Sequence, residues 1–137
     1  MTVADVAITA ASVLPGSGAV IVNGTAGETL TAGMGVYLKT DGKYWKSQAD
    51  GTAAEATVAG VVLNGASAGQ PVSVQTGGTV TIGGTVVVGT VYTVSATAGG
   101  ICPITDLVST NYLSVLGAAP TAGTITLKPW ATGIVKA

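Results

Sequence analysis

Glycine doublets and Asx-Gly pairs cut this 137-residue chain into short pieces: Asn23-Gly24, Asp41-Gly42, Asn64-Gly65, Gly77-Gly78, Gly83-Gly84 and Gly99-Gly100. Such spacing works against helices, because glycine inside a helix costs about 1 kcal/mol relative to alanine, whereas Asn-Gly and Asp-Gly favour tight turns. Between these signals lie alternating Val- and Thr-rich segments recurring roughly every 8 to 12 residues, the rhythm of a sandwich or barrel. The chain therefore reads as all-β. Strands are expected at 19–22, 36–39, 43–47, 58–63, 71–76, 79–82, 91–95, 112–116, 124–128 and 133–136. The sharpest local expectation is a hairpin over residues 36–47, with Asp41-Gly42 as a two-residue turn.

A weaker pattern repeats. Gly35-Val36-Tyr37 is echoed 55 residues on by Thr90-Val91-Tyr92, and the stretch from Ala68 to Val74 is echoed 54 residues on by Ala122 to Leu127. Two halves, each too small to bury its own face, would close one body by pairing with each other. Chance likeness in a chain so rich in Gly, Thr and Val is the competing explanation. The expected architecture is one small sandwich or barrel, jelly-roll-like, over residues 19–137. Leu14-Pro15-Gly16-Ser17-Gly18 breaks the alternation, so residues 1–18 are either an N-terminal arm or the first strand. An arm would offer Val3, Val6 and Ile8 for strand addition to a neighbouring subunit through main-chain hydrogen bonds.

Composition excludes several functions. Six acidic residues and five lysines, with no arginine and a net charge of −1, make a poor footprint for nucleic acid, which calls for cations gathered on one face. No apolar run approaches the roughly 18–20 residues of a membrane-spanning helix, so no membrane partner is expected. The N-terminus has no basic residue and carries Asp5, unlike a secretory signal, and the default is cytoplasmic synthesis. Cys102 is the single cysteine and reads as a small buried apolar group.

The chain has no histidine, the commonest general base and transition-metal ligand. Gly65-Ala66-Ser67-Ala68-Gly69 matches a nucleophile elbow in letters only, since that motif needs a strand-to-helix turn and a histidine partner. Asn23-Gly24-Thr25 fits a glycosylation acceptor but reads more simply as a turn. The carboxylates Asp5, Glu28, Asp41, Asp50, Glu55 and Asp106 are scattered, with no spacing that suggests a dyad or calcium loop. No catalytic residue, cofactor or metal is expected, and the chain is read as a structural or binding protein.

Polar and aromatic character concentrates in the hairpin, where five of the 11 charges fall within residues 39–50 alongside Tyr44 and Trp45. Tyr44, Trp45 and Lys46 are the contact candidates there, because aromatic side chains bring large contact area at low entropic cost. The plainer alternative is a solvated hairpin with one aromatic packed inward. A thin Val, Ile, Leu and Ala core further suggests a homo-oligomer, stabilised by association and covering Val- and Thr-rich edges such as 85–95.

The phrases Ala26-Gly27-Glu28-Thr29-Leu30-Thr31-Ala32-Gly33, the run from Ala68 to Gly78, and Thr97-Ala98-Gly99-Gly100-Ile101-Cys102-Pro103 together resemble the capsid decoration, or cement, proteins of tailed double-stranded DNA bacteriophages. The resemblance covers residues 20–137 and lies in phrasing and composition. It implies a protein on the outer surface of the virion head, commonly a homotrimer, that binds the major capsid protein and ties its subunits together. The alternative function is a receptor or carbohydrate-binding module of a tail fibre or surface assembly, with Tyr44 and Trp45 stacking on sugar rings and Asp41 and Lys43 supplying hydrogen bonds.

Overall fold

The computed structural model describes residues 6–107 and 111–135, and its ladders are all antiparallel. In chain order the strands are β1 (Leu14–Pro15), β2 (Val20–Thr25), β3 (Gly35–Leu38), β4 (Tyr44–Lys46) and β5 (Gly60–Val62), followed by β6 (Pro71–Thr81), β7 (Val91–Val94), β8 (Ile101–Pro103), β9 (Tyr112–Thr121) and β10 (Thr124–Val135). They form one sheet in the order β4-β3-β5-β6-β10-β9-β7-β8, with β1 and β2 also paired to β6. The protein is all-β. The sheet curls as a half-barrel, and a parallel bridge from Ala26 to Tyr44 brings the end of β2 round to β4.

The repeat seen in the sequence has a counterpart in the pairing. The first half runs β2-β6-β5-β3-β4 and the second β6-β10-β9-β7-β8, one order used twice with β6 shared. Registers follow the same offsets: Thr25↔Pro71 corresponds to Val80↔Ile125, and Val61↔Gln75 to Val115↔Trp130. The expectation that neither half buries a face alone holds for only one of the two cores, since the smaller draws wholly on residues 26–74 and the larger on both halves. The N-terminal part of β6 pairs with β2 and β5, and its C-terminal part with β1 and β10.

Two cores result. One gathers Ala26, Leu30, Val36, Tyr44, Val62, Ala66, Val72 and Val74. The larger one includes Val61, Val80, Ile82, Tyr92, Ile101, Cys102, Leu116 and Ile125. Strand alternation divides them: Val61 and Val62, adjacent on β5, enter different cores because successive side chains leave opposite faces.

Several glycines that read as turns lie inside strands. Asn23-Gly24 belongs to β2, and a side chain on Gly24 would meet Cδ2 of the Tyr44 ring at 2.9 Å. The glycine is there to seat an aromatic. Gly77-Gly78 lies within β6, so the two strands expected at 71–76 and 79–82 are one, and β10 likewise joins the pieces expected at 124–128 and 133–136. Residues 85–88 form no strand, and β8, absent from the sequence-based expectation, pairs with β7. The hairpin at 36–47 is present, but its turn is not the two-residue type. Gly42 N–H donates to the Lys39 carbonyl at 3.0 Å and Gly42 adopts a φ of 82°, so the turn spans the four residues 39–42 and ends in a left-handed glycine.

Candidate functional site

β3 and β4 form one wall of an open cleft of about 580 Å³, and residues 52–55 and Glu28 approach from elsewhere in the chain. Its lining includes the charged or phenolic side chains of Glu28, Tyr37, Lys39, Lys46 and Glu55, together with the Trp45 indole. Short-range bonds fix the hairpin end. The Asp41 carboxylate accepts the Lys43 amide at 2.9 Å and the Trp45 indole Nε1–H at 3.1 Å, while the Lys39 ammonium lies 4.4 Å from the indole centroid, a cation–π distance. Gly27 packs against the same indole: a side chain there would meet Cδ2 at 2.8 Å.

Both glutamates of the cleft already hold backbone. Glu28 Oε2 accepts the Lys46 amide at 3.0 Å, tying the loop after β2 to β4. Glu55 Oε1 accepts the Thr52 amide at 3.1 Å and its hydroxyl at 3.2 Å. Burial, then the negative charges of Glu55, Glu28 and Asp41, raise the Tyr37 hydroxyl above its usual pKa of 10.0. Among the described residues no three His, Cys, Asp or Glu side chains are placed to hold a metal ion.

The candidates from the sequence have different fates. Tyr44 is buried in the smaller core and offers no surface. Trp45 and Lys46 are half-buried on the cleft wall. Stacking a sugar on the indole face that Lys39 covers would require displacing that ammonium. Val6 and Ile8 are half-buried against the larger core of their own chain, and the Val6 amide donates to the Ile101 carbonyl at 2.8 Å. Val3 lies outside the described residues.

No protein-family model matches the chain, and no curated protein matches its sequence. The surface itself adds what sequence reasoning missed. Leu14, Val20, Ile21 and Val22 on the β1–β2 edge are 59, 54, 45 and 40 % exposed, and Trp130 and Ile134 on β10 are each 65 % exposed. A signal existed for the first group: residues 6–27 carry no charged side chain at all.

Replacing Asp41 by alanine is expected to destabilise the protein by about 1 kcal/mol, since it frees two donors at an exposed hairpin end. Urea denaturation reads the loss, and faster exchange of the Trp45 indole proton would tie it to this bond.

Proposed function

We propose that this protein is a structural component that binds the outer surface of a phage capsid and stabilises contacts between major capsid subunits. The observation that carries the reading is the apolar, uncharged β1–β2 edge, where four large aliphatic side chains face solvent. Soluble proteins cover or charge such edges, because unpaired strand groups beside apolar side chains invite association. An edge left bare in this way suits a protein that works buried against others. The curled, doubly paired sheet supplies a rigid support for it, and the resemblance in phrasing to capsid decoration proteins points the same way. Self-association into a homotrimer belongs to the same proposal, as does final residence on the virion.

Co-sedimentation with phage heads stripped of decoration tests it. Saturable binding is expected, reduced at least roughly tenfold by the paired change Val20→Lys and Val22→Lys, which places two charges on the edge at a cost of a few kcal/mol when buried. No binding by the unaltered chain would overturn the capsid reading, and mass in solution would decide the trimer.

A further inference from the structure

The two halves of the sheet close differently. In the first, the chain after β2 meets β4 directly, through the Ala26–Tyr44 bridge and the Gly27 amide donating to the Tyr44 carbonyl at 2.8 Å. In the second, the N-terminal segment spans the corresponding seam: the Thr9 amide donates to the Gly83 carbonyl and the Val6 amide to the Ile101 carbonyl, both at 2.8 Å. Residues 6–9 thus make main-chain bonds to the chain's own body without forming a strand of their own.

The seam is shaped for its occupant. A side chain on Gly84 would collide with the Ala7 carbonyl, one on Gly83 would meet the Thr9 carbonyl oxygen at 2.5 Å, and one on Gly33 would meet Ile8 Cγ2 at 2.5 Å. Val6 and Ile8 pack on the larger core, and a further cavity of about 210 Å³ remains beside them. The segment returns to β1 through a 3₁₀ turn, Ala10–Ser12, that buries no residue and is held by Ser12 N–H to Thr9 O at 2.9 Å and Val13 N–H to Ala10 O at 3.3 Å.

We propose that this seam is a strand-acceptor site, and that its second occupant is the 6–9 segment of another copy of this chain. The main-chain bonds and the apolar seats of Val6 and Ile8 are the same whichever copy supplies the segment. Between copies already held together, exchange therefore costs chiefly the opening of the turn, and straightening its three residues from about 2.0 to about 3.4 Å each extends the reach by about 4 Å. The segment stays in its own seam while copies are dilute and passes to a neighbour when association raises the local concentration. The occupant is a like chain because the seam, like the segment, is uncharged and sized to small and aliphatic side chains. The proposal concerns copies of this chain alone and is tested without phage heads, so it stands or falls apart from the capsid reading.

Ser12→Pro removes the amide that holds the turn and drives Ala11 out of helical backbone geometry. Light scattering across a concentration series should then show the multimer forming at concentrations at least roughly tenfold lower than for the unaltered chain. Adding Gly84→Val, at a position whose backbone is not left-handed, should reverse that shift by blocking the seat. An unchanged mass curve for Ser12→Pro, or a shift that survives Gly84→Val, would overturn the proposal. A labelled peptide of residues 6–13 gives an independent reading on the full, unaltered chain. It should bind saturably and lose at least roughly tenfold in affinity with Ile8→Asp; absence of binding, or indifference to Ile8→Asp, counts against an acceptor site.

Discussion

Tyr92→Ala is expected to lose about 3–5 kcal/mol of stability, the cost of removing a buried aromatic and leaving its cavity. Tyr92 is among the largest fully buried side chains, 2 % exposed, and sits opposite Gly117 on β9. Its hydroxyl also accepts the Val87 amide at 2.8 Å and so pins the loop between β6 and β7. That loop contributes Val86 to the larger core and returns to the sheet through Val86 N–H to Ala122 O and Gly89 N–H to Ala119 O. Tyr92→Phe separates the two roles. It keeps the ring, frees only the Val87 amide and should cost about 1 kcal/mol. Against a total stability of roughly 5–15 kcal/mol, the alanine variant should show a large fall in urea midpoint and the phenylalanine variant a small one. Equal losses would mean that the hydroxyl, and not the ring, anchors this half.

The all-β class and the hairpin at 36–47 were legible because both rest on local signals, alternation and an Asp-Gly turn. The 54–55-residue echo was legible because sharing β6 preserves register along with sequence. The errors cluster at glycine. Gly24 reads as a turn from its asparagine neighbour, yet it serves the Tyr44 ring, and no local pattern tells an aromatic seat from a turn. β8 was invisible because three residues ending in Pro103 carry too little alternation to register. At the candidate site Trp45 and Lys46 stood out by type. Tyr44 has the same letter-level appeal but faces the core, because inward and outward positions on β4 are set by its pairing with β3 and by the Ala26 bridge. Glu28 and Glu55 had no signal, since each reaches the cleft from a separate loop.

Gly60→Ala and Gly117→Ala should each cost about 3 kcal/mol, at the upper end of overpacking substitutions, and by nearly the same amount. Neither glycine has a left-handed φ, so the requirement is space and not backbone conformation. A side chain on Gly60 would collide with the Gln75 carbonyl oxygen on β6, 2.9 Å from its carbon and 3.0 Å from Val74 Cγ1. One on Gly117 would collide with the Thr126 carbonyl oxygen on β10, 2.9 Å from its carbon and 3.1 Å from Ile125 Cγ2. The obstacle is backbone of a paired strand, which cannot rotate away as a flexible side chain would, so the added methyl must force the two strands apart. β5 with β6 and β9 with β10 are the corresponding pairs of the two halves, and although Gly60 and Gly117 do not occupy equivalent positions in the repeat, each pair uses one glycine to admit a close approach of the paired strand. Urea midpoints of the two variants test this directly. Similar large losses are expected; a loss under about 0.5 kcal/mol at either site would show that its strand pair does not need the close approach.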